Sequence, residues 1–148
     1  MTPLAHGVLS GVTTVVFATV TKSPLGSLVC FLSGIFMDLD HILDYCLARK
    51  RLWGSYRDLW VYCGEERGGK LYLILHSYEL LALMGLVVMG WHGNVIWWGL
   101  LVGMSVHLIA DQIFNRQLRP FVYFLSYRLI HGFDKKYLFS EEQYRKMK

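Results

Sequence analysis

Charge is what the long stretches of this chain lack. Lys, Arg, Asp and Glu make up 18% of 148 residues and 54% are hydrophobic, yet the charged residues gather outside a few long apolar runs. Segregation of that kind marks an integral membrane protein with short polar loops. Cysteine is also scarce. Cys30, Cys46 and Cys63 form an odd set with no CxxC spacing, which argues against a disulfide framework and a cysteine metal site. Cys30 and Cys46 fall in apolar runs, where cysteine acts as a small hydrophobe. No internal repeat, low-complexity segment or interleaved basic and aromatic array for stacking bases is present. The net charge is only +4. Its basic residues flank the apolar runs, so they point to a membrane surface and away from nucleic acid.

What is present is four runs of roughly 20 residues, the length that crosses a bilayer core. The first, about 4–20, mixes Gly, Ser and Thr into an apolar background, which lets helices approach closely in lipid. It has no basic region before it and holds His6, so it reads as a retained helix, although small residues near Ala18 would suit a cleavage site. Thr21-Lys22-Ser23-Pro24 breaks it, with Pro24 suited to the first turn of the next helix. The second run is about 25–47, the third about 71–90 and the fourth about 95–114. Trp91-His92-Gly93-Asn94 joins the last two as a tight turn, and Trp97 and Trp98 sit where an interfacial aromatic belt belongs.

Between the second and third runs the chain is polar, with Trp53, Tyr56, Trp60 and Tyr62. It is expected to lie in the interface with a short helix around Tyr56–Tyr62. After the fourth run, Phe121, Phe124, Leu125 and Leu129 fall on one stripe of Pro120–His131, as in a surface-lying helix. Ser140-Glu141-Glu142-Gln143 resembles a capping box. The expected fold is all-α, an integral membrane four-helix bundle over a single domain 1–148, with an interfacial or cytoplasmic helical tail, 115–148. Arg49, Lys50, Arg51, Arg57, Arg67 and Lys70 fill the middle connection; Arg116, Arg119, Arg128, Lys135 and Lys136 follow the fourth run. By the positive-inside rule both termini and the middle connection are cytoplasmic.

Met37-Asp38-Leu39-Asp40-His41-Ile42-Leu43-Asp44 puts three carboxylates and an imidazole at the end of the second apolar run. A charge at the centre of a membrane helix costs about 2.5–3.5 kcal/mol on insertion scales, so such groups pair, bind or line a wet cavity. His6 lies 14 residues before Val20, Asp38 lies 13 after Leu25, His76 lies 14 before Gly90 and His107 lies 13 after Asn94. At about 1.5 Å per residue, all four stand about 20 Å from the outer turns. Asp38 and His41, His41 and Asp44, and His76 and Glu79 are i,i+3, while His107 and Asp111 are i,i+4, so each pair shares a helix face. Asp40 stands about 100° round from His41 and reaches the site obliquely or supports it from behind. Facing carboxylates and histidines in a bundle core hold one or two metals. Asp38, His41, His76, His107 and Asp111 are the expected ligands, with His6 a sixth. Asp44 and Glu79 read first as helix-end charges, and His92 and His131 as turn or surface residues.

His6, Asp38-Leu39-Asp40-His41, His76-Ser77 and His107-x-x-x-Asp111 resemble the signature of the membrane-bound metal-dependent hydrolases, small inner-membrane proteins with a distant likeness to zinc-dependent phospholipase C. The resemblance implies a helical membrane hydrolase. The chain departs from the pattern twice. Met37 stands where the family has Pro, and Leu73-Ile74-Leu75 stand where a His-Arg-x-x-Thr box would place a His, an Arg and a Thr. One ligand and one phosphate-neutralising cation are thus missing, so that either the site holds fewer metals or Lys70, Arg116 or Arg119 supplies the charge.

The reading that follows is a hydrolase of a phospholipid or lipid-linked phosphate in a bacterial-type inner membrane. Its site would hold one or two divalent ions, zinc first and manganese or iron next. A metal-activated water would attack a phosphoryl or acyl centre, with Asp40 or Glu79 accepting its proton. The competing reading is a non-catalytic metal-binding or structural membrane protein. A haem- or quinone-linked redox role fits less well, since axial haem ligands are His, Met, Cys or Tyr and this cluster is rich in Asp.

Overall fold

The computed structural model describes residues 3–50, 54–64, 69–90 and 93–147. Arg51, Trp53, Arg67, Trp91 and His92, which enter the readings above, lie outside the described residues. Those described form α1 (Pro3–Thr21), α2 (Pro24–Phe36), α3 (Leu39–Arg49), α4 (Tyr56–Gly64), α5 (Tyr78–Gly90), α6 (Val95–Phe114), α7 (Leu125–Ile130), α8 (Lys135–Leu138) and α9 (Glu141–Lys146). The architecture is all-helical apart from two isolated bridges. The chain divides into two compact units, Met1–Met37 with Tyr78–Asn115, and Asp38–Ser77 with Arg116–Lys148.

The first unit holds α1, α2, α5 and α6. Its turns follow the local chemistry of the sequence. Ser23 caps α2, its Oγ accepting from the Gly26 N–H at 3.2 Å with Pro24 in the first turn. Asn94 caps α6, its Oδ1 accepting from the Ile96 N–H at 2.9 Å. The helices α2 and α6 meet backbone to backbone. A Cβ on Gly99 would run into the Gly26 carbonyl, and one on Gly103 into Ser33 Oγ and the Cys30 carbonyl. Small residues serve this purpose in lipid, where packing contact replaces the hydrophobic effect as the force between helices. Gly103→Leu is therefore expected to push α6 off α2 and to cost about 1–3 kcal/mol through overpacking. Thermal unfolding in detergent checks this, with Gly85→Leu as the control, because a Cβ there meets nothing within 4 Å.

Three helical stretches, Leu4–Thr21, Pro24–Arg49 and Val95–Phe114, are long and apolar enough to cross a membrane, and Tyr78–Gly90 is a shorter apolar helix. Only 17% of the first stretch is buried inside the protein, and Val8, Val12, Val15, Val16 and Val20 all face outward. The third run differs from the expected helix over 71–90, since α5 begins at Tyr78 and has 13 residues. The second run is also not one regular helix. At Met37 and Asp38 the ladder tightens, with Met37 N–H donating to the Ile35 carbonyl and His41 N–H to the Asp38 carbonyl at 3.1 Å.

The second unit is built from the middle connection and the tail, which share one core of Tyr45, Tyr62, Leu71, Leu73, Val122, Leu138, Phe139 and Met147. Backbone pairing ties them together. Leu71 N–H donates to the Phe133 carbonyl at 2.9 Å, Lys135 N–H to Gly69 at 3.2 Å and Arg119 N–H to Leu138 at 2.9 Å. The expected helix around Tyr56–Tyr62 is present as α4, and Ser140 caps α9 by accepting from the Gln143 N–H at 3.3 Å. The expected surface helix over Pro120–His131 shrinks to the six residues of α7. Val122 and Tyr123 turn into the core while Phe121, Phe124 and Leu129 remain outside, an inside-and-out pattern that a single helical stripe cannot satisfy. Lys135 is buried, its Nζ donating to the Tyr62 carbonyl and lying 4.0 Å from the Tyr62 ring centroid. Burial pushes the neighbouring Cys63 thiol up to about 12, so at neutral pH it is a protonated, inert side chain.

Candidate metal centre

In the first unit, three of the expected ligands converge. His6 comes from the first turns of α1, and His107 and Asp111 come from one face of α6; all three are buried. His6 Nε2 lies 3.0 Å from Asp111 Oδ1, and His107 Nε2 lies 3.6 Å from Asp111 Oδ2. The two imidazoles stack with centroids 4.0 Å apart and planes 12° from parallel. One ligand atom from each residue falls within 4.8 Å of the others.

The tautomer of His107 follows from its partner. Its Nδ1 is 2.6 Å from the Gly34 carbonyl, which can only accept, so Nδ1 carries the proton and the Nε2 lone pair is left for an electrophile. A ring nitrogen anchored to a backbone carbonyl is the usual support of a metal-ligating histidine. Asp111 is oriented in turn by Asn115, whose Nδ2 donates to Oδ1 at 2.8 Å. His6 Nδ1 is buried and has no hydrogen-bond partner among the described residues. A buried nitrogen in that state calls for an explanation such as an ion or water. Two imidazoles and one carboxylate are a donor set used for catalytic zinc, with a fourth position open, and for non-haem iron. These residues therefore fit a divalent metal.

In the second unit, Asp38, Asp40, His41 and His76 come together. Asp40 and Asp44, one turn apart on α3, are both buried and both turned toward the segment 70–77. Asp44 Oδ2 accepts from the Tyr72 N–H at 2.8 Å and the Leu73 N–H at 3.1 Å. Asp40 Oδ2 accepts from the Leu75 N–H and from the His76 N–H at 3.1 Å, and lies 3.2 Å from His76 Nδ1. The carbonyls of the same segment are gripped from the tail. Arg128 Nη1 donates to Tyr72 at 2.7 Å and to Leu73, and Nη2 donates to His76 at 3.0 Å.

This double clamp explains why α5 starts late. Carboxylates take the N–H groups and a guanidinium takes the C=O groups that a helix would have paired internally. It also holds Leu73 at φ +47, a conformation a branched residue keeps only when its surroundings over-determine it. The segment ends by presenting His76. With Nδ1 turned to Asp40, its Nε2 lies 3.8 Å from Asp38 Oδ1, and His41 Nε2 lies 4.0 Å from the same oxygen. The His41 and His76 rings are 5.3 Å apart and tilted by 54°.

Within each unit the expected residues lie close together. His6, His107 and Asp111 meet in the first unit; Asp38, His41 and His76 meet in the second, with Asp40 behind His76. Glu79 lies in the first turn of α5, half-buried. The expected substitutes for the missing cation take other places. Lys70 and Arg116 are exposed, and Arg119 Nε donates to the Phe139 carbonyl at 3.0 Å. The cation at the altered box is Arg128, fully buried and read from the sequence only as a topology-setting charge. Its signal was its position, a lone arginine between Tyr127 and Leu129 in an otherwise apolar stretch. No known protein family, curated protein or solved structure matches the chain.

Proposed function

We propose that the protein is a membrane-embedded, metal-dependent hydrolase that acts on a phospholipid or lipid-linked phosphate. The observation that carries this reading is the buried convergence of His6, His107 and Asp111, with His107 already held in the ligating tautomer by Gly34. Zinc is the metal we favour, ahead of manganese or iron, because two neutral imidazoles and a carboxylate leave one position open. An ion held there would supply Lewis acidity and bring the pKa of water towards neutrality.

The protein's own groups divide the remaining tasks. Asp111 carries the negative charge that balances the ion, and Asn115 fixes its orientation. Asp40, engaged with two backbone N–H groups and His76, is a positioning residue, so proton acceptance falls to Glu79. Asp38, with His76 at 3.8 Å and His41 at 4.0 Å from one of its oxygens, is where we would look for a phosphate or a second ion. We place the chain in a bacterial-type cytoplasmic membrane with both termini inside, a topology that takes the three apolar stretches as crossings and the shorter α5 as the fourth.

A non-catalytic, structural role is favoured by one observation, that Asp40 and Asp44 spend their carboxylates on backbone N–H groups. Two measurements separate the readings. Elemental analysis of untagged full-length protein is expected to find at least one transition metal per chain. Metal-loaded protein is then expected to release phosphate or fatty acid from mixed membrane lipids. Protein that purifies without metal and takes up none on dialysis sinks both metal readings, whereas bound metal with no turnover across lipid panels leaves the structural one.

A further inference from the structure

The tail of the second unit carries a run of rings on its outer surface that neither the core nor the metal centre uses. Phe124 lies against Phe121 with centroids 6.4 Å apart, and Phe121 against Tyr127 at 6.2 Å. Tyr127 meets His131 at 4.2 Å, and His131 meets Tyr137 at 5.1 Å. Phe121, Phe124 and Tyr137 are exposed, and in the same stretch Leu129 and Ile130 are 65% and 80% exposed. Lys136 ends the run, its Nζ 5.6 Å from the Tyr137 centroid. Hydrogen bonds fix the geometry. The Tyr127 hydroxyl donates to the Tyr137 carbonyl at 3.2 Å, and His131 Nδ1 donates to the Tyr127 carbonyl at 2.8 Å. The run is thus one contiguous surface, ordered before any partner arrives.

Reach and charge together indicate what this surface meets. Phe121 follows Phe114, the last residue of α6, by seven residues, and α6 is long and apolar enough to cross a membrane. At no more than about 3.6 Å per residue, chain length alone keeps Phe121 within about 25 Å of that helix end. Residues 115–148 hold eight Lys or Arg against three Asp or Glu. Arg128 and Lys135 are buried. Glu141 and Glu142 are met on their own helix by Arg145 at 3.9 Å and Lys146 at 2.6 Å, and Asp134 Oδ1 caps α8 by accepting from the Lys136 N–H at 2.8 Å. Lys136 and Arg116 remain as exposed cations. Lys70, also exposed, bridges through its backbone to Asp134 and so brings a further cation beside the turn that leads to Lys136.

We propose that this ring run docks on the surface of a bilayer, where Lys136 and Lys70 favour anionic headgroups. The proposal needs the chain in a membrane, and neither metal nor hydrolysis. In water a contiguous apolar patch is a liability that soluble proteins keep small. At the interface, Phe121, Leu129 and Ile130 can enter the acyl boundary while the polar tips of Tyr127 and Tyr137 stay at headgroup level. Each lysine near an anionic surface adds an attraction equivalent to about a fivefold change in occupancy. Because α6 tethers the patch, the bilayer faces it at an effective concentration that a separate protein does not match.

The test uses full-length protein in vesicles of equal phosphatidylcholine and phosphatidylglycerol. Photoreactive benzoylphenylalanine replaces Phe121, Tyr137 or, as a control on exposed α9, Glu142, and mass spectrometry of the adducts identifies the partner. Lipid adducts are expected at positions 121 and 137 and not at 142, with phosphatidylglycerol predominating. Lys136→Gln should cut the phosphatidylglycerol adduct at position 121 about fivefold, and Lys70→Gln added to it about fivefold again. Leu129→Ser with Ile130→Ser should lower adducts with both lipids. All four side chains are exposed, so the variants should keep the parent's resistance to proteolysis, which checks that they fold. Adducts to a second copy or to another protein, equal lipid adducts at position 142, or no preference for phosphatidylglycerol would each overturn the proposal. Metal content and lipid turnover are separate measurements, so the hydrolase reading stands or falls without this one.

Discussion

Asp111→Ala is expected to empty the metal centre. The carboxylate lies between both imidazoles, 3.0 Å from His6 Nε2 and 3.6 Å from His107 Nε2, and it is the one anion of the triad. Removing it leaves two neutral nitrogens, which hold zinc poorly without a charge-balancing third ligand. The loss in affinity should exceed the roughly 10–100-fold that accompanies removal of an outer-sphere partner alone. Asn115→Ala, which removes only the group orienting Asp111, should fall within that range. Metal competition titrations on both variants test the order of effects. An Asp111→Ala protein that binds metal as tightly as the parent would rule the triad out as the site.

Arg128→Met is expected to collapse the presentation of His76. The guanidinium serves three carbonyls, those of Leu73 and His76, which are buried, and that of Tyr72, which is partly buried, and each buried acceptor left without its donor costs about 1–3 kcal/mol. Set against a total stability of about 5–15 kcal/mol for a domain, the sum is enough to release the segment 70–77. Arg128→Lys should restore little, because one ammonium cannot reproduce a planar fork that reaches three acceptors. Limited proteolysis is the direct readout, with new cleavage expected between Gly69 and Ser77. A segment as protected in Arg128→Met as in the parent would show that Asp40 and Asp44 hold it unaided.

The contrast between α6 and α5 shows what can be read from the chain and why. Val95–Phe114 came out at its expected bounds, because Asn94 caps it and its hydrogen bonds are local. The grouping of His107 with Asp111 was equally legible, since a spacing of four residues is a statement about one helix. His6 was reached only through a count of depth, and the structure brings it to the same carboxylate. The segment 71–77 reads as apolar and helical by composition, yet its structure is decided by Asp40 and Asp44, about 30 residues earlier, and Arg128, about 50 residues later. No local pattern carries that information. Asp40 was read as standing aside from His41, and its bonds to the Leu75 and His76 N–H groups were not visible from the sequence. Arg128 was counted among the positive-inside charges, a rule that treats every arginine alike and cannot see one that folds inward.

The hydrogen bond from His107 to the Gly34 carbonyl has a consequence for the order of events in the protein's life. Gly34 belongs to α2, and a Cβ there would meet Ser10 of α1, so the carbonyl is in place only when α1, α2 and α6 have already closed on one another. The triad draws on α1 and α6 and its tautomer on α2. Until these helices have packed the triad is incomplete, so metal uptake there would report on finished assembly. A metal ion held there would stabilise the packed arrangement by mass action, in proportion to the logarithm of its free concentration over its dissociation constant.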